Sequence, residues 1–576
     1  MRVLILGGYG TFGARLARLL ARDGRLTLLI AGRSRIKAQL LCDSLDGAAE
    51  RLPLVFDRDR DPAPLLDQAR PQLVVDAAGP FQAYGEDPYR LARACIEAGA
   101  NYLDLADAAE FVAGIGALDA RAREKGLFAL SGLSTFPALS HAVIEFLSRD
   151  LDAITAIRAG VAPSPRAGVG PNVVRAIASY AGKPLPVIAG GQTTSRLAII
   201  DSTRRTIGVP GELPLNNTLF TLAETPDLKL APGWAKAEGL RELWTGAGPR
   251  PELLHQMLRG LAWLVRLRLL PSLGGLSEVL HWGSRTFVWG EDRGGMFVEV
   301  EGEGADGPVS RAWDLVAEGD DGPFIPSIGA AAVIRRMAEG QKPAPGARSA
   351  AGAVSLADYE AVFETLHIKT GVWTEAPAGA PLYQRVLGPA WDRLAAPIRA
   401  MHQLSGEKVV SGEATVIRGK GPLAWLAGLV MGFPKAGEGV PVTVRFTDLR
   451  GGELWRRTFA GQSFQSFQED GAGRSQGLVV ELFGPIGIHM AVLEEGGRLV
   501  LAIRRVTLFG VPLPSWLRPG GVAYEHAEDG RFNFFVEMRA PLAGLIVGYR
   551  GWLVEVDDSA KPNVTDQPLE TGAQPV

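Results

Sequence analysis

Cysteine is nearly absent from this sequence: only Cys42 and Cys95 occur among 576 residues. Both lie in helical patterns and no C-x-x-C occurs, so we expect small core residues, not a disulfide framework or a thiolate metal site. Histidine is also scarce, with seven residues. His402, His489 and His526 are isolated, without the spacing of metal ligands, and no metal site is expected.

Long basic blocks and long apolar runs are missing as well. The formal net charge is −3, which argues against a nucleic-acid partner. A membrane-spanning helix needs about 20 uncharged apolar residues, and the two most apolar segments, 253–270 and 422–433, are broken by charge or short. Each could be a buried core helix, a lid over an apolar pocket or an interfacial membrane helix.

The expected location is the cytoplasm, because the few cysteines suit a reducing compartment. The chain starts inside its first predicted strand, so no signal peptide is expected. Peripheral contact with the inner face of a membrane stays an open alternative.

The first 13 residues carry the strongest motif. The apolar run 3–6 leads into a glycine turn, and a helical pattern follows, which predicts a strand, a tight turn and a helix. Gly8, Gly10 and Gly13 form G-x-G-x-x-G, which brings the pyrophosphate of a dinucleotide to a helix N-terminus. The alternative is a tight turn without a ligand. The expected cofactor contacts of this segment are Gly7, Gly8, Tyr9, Gly10, Thr11, Phe12 and Gly13.

The end of the second predicted strand, 26–31, indicates which dinucleotide binds. An NAD-preferring site places an acid here, whereas this chain has Gly32-Arg33-Ser34-Arg35, so Arg33 can pair with a 2′-phosphate. NADP(H) is therefore the predicted cofactor, unless these arginines are only solvated loop cations. Further contacts are expected from Ser34, from Asp57 after the third strand, and from Gly79, Pro80 and Phe81 after the fourth.

Strands and helices alternate through residue 131, with further strands at 51–56, 72–77, 102–105 and 127–131. This pattern predicts an α/β fold with a Rossmann-type doubly wound parallel sheet. After the last of these strands, Thr135 is a candidate to hydrogen-bond a substrate oxygen and His141 a candidate proton donor. The alternative is that the Ser/Thr residues only cap the next helix.

The opening GGYGTFG, IAGRSR and VVDAAGPFQAYGEDPYRLARACIEAGANYLDLAD (74–107) resemble the saccharopine-dehydrogenase-like oxidoreductases. The resemblance resumes at GPFIPSIGAAAVIRRMAEG (322–340) and LADYEAVFETLHI (356–368). It implies an NADP-binding Rossmann domain, an inserted substrate domain and a return of the chain to the first domain. Family members include dehydrogenases of amino-acid conjugates and enoyl reductases acting on lipid chains. The Lys/His acid–base pair of the lysine-forming members is not recognisable here.

The last third resembles a bacterial domain of unknown function, through LYQRVLGPAWDRLAAPIRAMHQL (382–404) and ELWRRTFAGQSFQSF (453–467). Its strands alternate apolar and polar residues, which predicts a mainly antiparallel sheet or partial barrel with a helix on one face, an architecture that commonly encloses an apolar ligand. Strands are predicted at 408–417, 440–447, 453–459, 477–483, 488–494, 498–508 and 531–538.

The predicted organisation combines these segments. It consists of a Rossmann domain (1–145), an inserted α+β substrate or dimerisation domain (146–320), a return segment (321–368), a linker (369–381), the C-terminal β-rich domain (382–556) and a disordered tail (557–576).

The predicted function is an NADP(H)-dependent oxidoreductase acting on a hydrophobic carbonyl, imine or enoyl compound. The alternative is a non-catalytic dinucleotide-fold protein whose C-terminal domain binds a lipid or protein partner. The expected partner is an apolar small molecule, and a homodimer stays open.

Overall fold

The computed structural model describes residues 1–168, 170–377, 379–449 and 451–556. They fall into two compact units. Unit 1 contains Met1–Val209 and Pro214–Glu375, and unit 2 contains Pro210–Leu213 and the chain from Ala376 onward. The expected disordered tail lies outside the described residues.

Unit 1 contains two sheets with helices around them. Its strands are β1 (Arg2–Leu6), β2 (Thr27–Gly32), β3 (Glu50–Val55), β4 (Leu73–Asp76), β5 (Asn101–Asp104), β6 (Phe128–Ser131), β7 (Ala153–Ala162), β8 (Pro184–Ala189), β9 (Gln192–Leu197), β10 (Ser202–Ile207), β11 (Leu215–Leu222), β12 (Glu242–Ala247), β13 (Arg293–Gly304), β14 (Gly307–Glu318), β15 (Gly346–Ser349) and β16 (Ile368–Thr374). Its α-helices are α1 (Thr11–Leu20), α2 (Arg35–Ser44), α3 (Ala63–Ala69), α4 (Arg90–Glu97), α5 (Ala109–Gly114), α6 (Asp119–Glu124), α7 (Ser140–Leu147), α8 (Pro171–Tyr180), α9 (Asp227–Leu230), α10 (Glu252–Arg266), α11 (Ser277–Thr286), α12 (Ile325–Ala338) and α13 (Leu356–Phe363).

The first sheet is parallel, in the order β15-β6-β5-β4-β1-β2-β3. Successive side chains of a strand point to opposite faces, and β1 shows the result. Val3 and Ile5 pack in one core with residues of α1 and α12, whereas Leu4 and Leu6 pack in another with residues of α4. The doubly wound Rossmann-type fold is therefore confirmed.

The predicted linker and a Pro/Gly/Ala-rich stretch before it both contain strands. The Pro/Gly/Ala-rich stretch 341–352 contributes β15, which pairs in parallel with β6. The predicted linker 369–381 is wrong over its first half, because β16 extends to Thr374 and pairs with β14. Pairing with a distant strand supplies the hydrogen bonds that these short segments cannot make locally.

The second sheet is mixed, in the order β10-β11-β12-β7-β13-β14-β16, with β8 joining β12 and β9. Helices α8, α10 and α11 contribute to a small apolar core beside it. This is the inserted α+β region. Within α10 only His255 and Ala262 are buried, so this helix is a surface helix and the buried-core interpretation of 253–270 is wrong.

Unit 2 is a closed antiparallel barrel with helices. Its strands are β17 (Glu407–Arg418), β18 (Gly437–Leu449), β19 (Gly452–Phe459), β20 (Gln462–Asp470), β21 (Val479–Phe483), β22 (Ile486–Glu495), β23 (Arg498–Leu508), β24 (Val511–Pro512), β25 (Gly520–Glu528), β26 (Arg531–Ala540) and β27 (Gly544–Glu555), and its α-helices are α14 (Leu382–Leu387), α15 (Ala396–His402) and α16 (Pro422–Val430).

The barrel closes because β22 pairs with β21 on one side and with β23 on the other. The mainly antiparallel C-terminal fold is confirmed, but the sequence patterns missed β20, β24, β25 and β27. Strand β20, QSFQSFQED, has too many polar residues to stand out by composition. It is specified by its pairing with β19 and β21.

Candidate functional site

The turn after β1 is built from glycines for two steric reasons. Gly7 has φ +72°, and a Cβ there would lie 2.7 Å from the carbonyl oxygen of Ala77. A Cβ on Gly13 would overlap the carbonyl oxygen of Gly7. Gly10 precedes α1 as its N-cap. The turn therefore brings the N-terminus of α1 close to the ends of β1 and β4, as a pyrophosphate site requires.

A cleft of about 1460 Å³ opens at this turn. Most of the predicted cofactor residues line it: Gly7, Tyr9, Gly10, Thr11, Phe12, Arg33, Asp57, Gly79, Pro80 and Phe81. The remaining three have other positions. Gly8 packs against the backbone of β1 and β2, and Gly13 packs α1 onto the turn. Ser34 caps α2, while its backbone N–H donates to the Tyr9 hydroxyl at 2.9 Å.

Three arginines line the cleft, together with three aspartates, Asp57, Asp59 and Asp107. Arg33 is exposed at the end of β2. Arg58 follows β3, and its guanidinium lies 4.0 Å from the centre of the Tyr84 ring. Arg175 is exposed on α8. Sequence analysis found only the first, although Arg58 follows a strand end in the same way.

The inserted region completes the cleft through α8. The Asn172 side chain donates to the Gly79 carbonyl at 2.7 Å. A Cβ on Gly170 would lie 3.0 Å from Thr11 Oγ1, so the chain before α8 passes close to the N-terminus of α1. No local motif marks Asn172 in the sequence, because its partner is distant along the chain.

A second cavity, with about 290 Å³ of free space, adjoins the cleft. The two share the wall residues Thr11, Phe12, Leu105, Asp107, Gly170, Val173 and Ala176. Elsewhere the second cavity is largely apolar, with Phe136, Val161, Ile177, Met296 and Leu315 among its walls. It has the shape and surface of a site for an apolar molecule next to the cofactor cleft.

Two carboxyl groups and a tyrosine lie in this cavity. Asp107 follows β5 and lines both spaces; Gln82 donates to its Oδ1 at 3.4 Å. Its side chain is open to the cavity, and the surrounding protein raises the pKa of its carboxyl. Burial and then the nearby Asp107 charge raise the pKa of Glu224. Burial, reinforced by both acids, raises the pKa of Tyr180, which stays protonated.

A carboxyl group with a raised pKa holds its proton more readily than an exposed one, which suits a general acid. Sequence analysis missed all three residues. The available signal was the position of Asp107 just beyond a strand at the carboxyl edge of a parallel sheet.

The two predicted catalytic residues are separated by the fold. Thr135 lines the second cavity, in a short π-helical turn before α7. His141 is not among the wall residues of this cavity. Its ring packs edge-on against Trp234, with 4.8 Å between the centroids, and burial lowers its pKa. A half-buried neutral imidazole outside the cavity is poorly placed to protonate a substrate there.

Together, the glycine turn, the cleft at the N-terminus of α1 and the doubly wound sheet define a nicotinamide-dinucleotide-binding domain. A family model described as "Saccharopine dehydrogenase NADP binding domain" matches residues 3–130. This match agrees with a dinucleotide-binding domain at the N-terminal end of the chain. A second model, "Domain of unknown function (DUF4166)", matches residues 394–553, which lie in the barrel unit.

A trans-acting enoyl reductase from Mycobacterium ulcerans (strain Agy99) is 33% identical over 105 residues. The match covers 18% of this chain and about a quarter, 24%, of that relative. Among solved structures, a probable dehydrogenase from Thermotoga maritima is 10% identical with a TM-score of 0.32, covering 65% of this chain and 98% of that one. A myo-inositol dehydrogenase from Corynebacterium glutamicum is 12% identical with a TM-score of 0.28, covering 66% and 99%.

Proposed function

We propose that this protein is an NADP(H)-dependent oxidoreductase that transfers a hydride to or from an apolar carbonyl, imine or enoyl substrate. The observation that carries the proposal is the shared wall between the dinucleotide cleft and the apolar cavity, with Asp107 on both. A substrate in the cavity would lie beside the reactive end of a dinucleotide in the cleft. The enoyl reductase similarity, though it covers a small part of that relative, is consistent with this chemistry.

The separate roles of the cofactor and of the protein follow from the residues present. A bound nicotinamide supplies or accepts the hydride. The chain's own residues must orient the substrate, exclude water and hold one proton. The apolar walls of the second cavity exclude water. Asp107 and Glu224 suit the third task, because each of two neighbouring carboxyl groups disfavours ionisation of the other.

The preference for NADP(H) rests on Arg33 and Arg58 at the ends of β2 and β3. Both line the cleft, and no acid follows β2 to repel a 2′-phosphate. Hydrogen bonds between charged groups contribute roughly 1.5–3 kcal/mol, so we expect NADPH to bind about tenfold to a hundredfold more tightly than NADH.

Calorimetry on Arg33→Ala tests this preference. The variant should bind NADPH about as weakly as NADH, because the 2′-phosphate loses its charged partner. Arg35→Ala is the matched control, since Arg35 is exposed nearby but is not among the residues lining the cleft. Equal affinities of the unmodified protein for NADPH and NADH would contradict the cofactor proposal.

Asp107→Asn tests the catalytic proposal. NADPH oxidation is followed with a panel of long-chain enoyl and ketoacyl thioesters, aldehydes and imines. With any substrate that is turned over, Asp107→Asn should lower the rate at least about a hundredfold while the dissociation constant of NADPH stays within about twofold. Asp67→Asn, an exposed change on α3, should change neither quantity. Normal turnover by Asp107→Asn would refute the assigned role, and no turnover of the whole panel would favour the non-catalytic alternative.

A further inference from the structure

Unit 2 encloses its own cavity inside the closed barrel. It holds about 120 Å³ of free space and is walled mainly by apolar side chains, including Phe446, Phe459, Met490, Phe532 and Phe534. Protein interiors are normally packed without voids of this kind. An apolar space inside a small barrel is typical of a ligand site.

Arg457 on β19 contributes a buried charged group to the cavity wall. Its Nη1 donates to Ser466 Oγ at 2.8 Å and its Nη2 to Glu481 Oε1 at 3.0 Å. Ser466 donates to the same Glu481 oxygen at 2.6 Å. Two of the guanidinium donors are thus engaged within the protein, and the carboxylate balances the charge.

A second polar group lines the cavity from other strands. Glu525 on β25 is hydrogen bonded to His402 Nε2 at 2.6 Å. Gln468 on β20 accepts from the Tyr383 hydroxyl at 2.8 Å. Glu525 is 7% exposed and Gln468 1%, yet both line the cavity. Buried polar groups of this kind are costly unless they are satisfied by the protein or by a ligand.

Among the charged groups of the cavity wall, carboxyl groups outnumber cationic groups. Three glutamates, Glu481, Glu525 and Glu537, line the cavity, together with one arginine, Arg457. A ligand carboxylate would meet excess negative charge and would have to compete with Glu481 for the arginine. A hydroxyl or amine, in contrast, could donate to the acceptor oxygens of the wall.

The barrel wall has a short interruption in its strand pairing, where a ligand could enter the cavity. Strands β23 and β25 pair over three residues only, from Leu499 to Leu501 on β23. Ile503, Gly521 and Val522, which line the cavity, lie beyond this pairing. The connection between the two strands exposes Phe509 and Trp516, at 80% and 69% of their surface. Exposed aromatic side chains beside a gap in a barrel are suited to receive an apolar molecule.

We propose that the barrel binds an elongated apolar molecule with a hydrogen-bond-donating hydroxyl or amine head group, which enters between β23 and β25 and donates to the acceptors around Glu525 and Gln468. The site is independent of the dinucleotide cleft and of the oxidoreductase proposal. It gives the C-terminal domain a ligand-binding role.

The full-length chain is titrated with the fluorescent probe N-phenyl-1-naphthylamine, and the probe is then displaced at pH 8 by 1-dodecanol, dodecylamine or dodecanoate. We expect dodecanol or dodecylamine to displace the barrel-bound probe at a concentration at least about tenfold lower than dodecanoate. Displacement by dodecanoate at an equal or lower concentration overturns the assigned head group. The absence of probe binding overturns the site.

Two cavity-filling variants locate the bound probe. Ala523→Trp, at the last paired position beside the lateral gap, and Ile503→Trp, at the gap, both alter cavity-lining residues and should each remove one probe site per chain. Ile417→Trp, an exposed position of β17, should remove none. The dissociation constant of NADPH and the melting temperature show whether each variant is folded. An unchanged probe stoichiometry in a folded cavity-filling variant overturns the proposal.

Discussion

At the scale of single residues, the ends of the central parallel strands bury two acids, Asp76 and Asp104, each with no exposed surface. Asp104 Oδ1 accepts from the Gly132 N–H at 2.7 Å and from the Ser131 hydroxyl at 3.0 Å. Its Oδ2 is buried and has no hydrogen-bond partner among the described residues. Burial raises the pKa of Asp104 to about 7, so the carboxyl braces the turn after β6 while holding its own proton.

This raised pKa predicts a pH dependence of stability. Between about pH 4, where an unfolded aspartate loses its proton, and about pH 7, the folded state binds more protons than the unfolded state. The free energy of unfolding should therefore fall as pH rises through this window, by at most about 1.4 kcal/mol per pH unit from this group. Asp104→Asn should remove that part of the slope in urea unfolding curves measured from pH 4 to 8. Identical slopes for the two proteins would show that Asp104 is ionised in the folded state.

Replacing Gly13 should lower the stability of the fold, whereas replacing Gly10 should prevent cofactor binding. Gly13→Ala forces a Cβ against the Gly7 carbonyl and should lower the free energy of unfolding by about 1–3 kcal/mol. Gly10 is exposed and a Cβ there meets only the backbone of Gly7, at 3.0 Å. Gly10→Val should therefore leave the fold intact and abolish NADPH binding. Chemical unfolding and calorimetry on both variants separate the effects; NADPH affinity that survives in Gly10→Val would exclude the turn as the pyrophosphate site.

At the scale of elements, the cleft depends on how α8 is held against the loop after β4. Asn172, near the start of α8, makes this connection through the Gly79 carbonyl. One such hydrogen bond contributes about 0.5–1.5 kcal/mol. Asn172→Ala should therefore weaken NADPH binding by about twofold to tenfold. Ser179→Ala is the control, because the Ser179 hydroxyl bonds only within α8, to Ala176, among the described residues. Equal NADPH affinities in the two variants would mean that this contact does not shape the cleft.

At the scale of the whole molecule, no helix in the described part of the chain has the length and apolarity to span a membrane.

A ligand that binds only the folded state stabilises it by mass action, by about 2.7 kcal/mol at a hundred times its dissociation constant. NADPH at that excess should raise the melting temperature measured by scanning calorimetry. The binding-deficient Gly10→Val chain should show no shift. An equal shift in both chains would place the NADPH effect outside the cleft.

Local features of the chain were predictable from the sequence. The strand, glycine turn and first helix follow from short-range sterics and periodicity, and most of the cofactor residues named from this pattern line the cleft. The buried positions of Cys42 and Cys95 and the parallel sheet follow from the same kind of signal. Local patterns constrain backbone angles and the faces of an element, and these determine structure over a few residues.

Long-range contacts were decided by the tertiary structure. The meeting of Asp107 with Glu224 and Tyr180, the addition of β15 to β6, and the closure of the barrel through β22 and β23 all join segments far apart in the chain. No periodicity specifies such pairs, because many pairings bury similar apolar surface. The fold selects the combination that satisfies backbone hydrogen bonds and core packing together. The sequence by itself therefore determined the dinucleotide-binding motif and the class of fold, whereas the cluster of Asp107, Glu224 and Tyr180 and the barrel cavity emerged only from the packed structure.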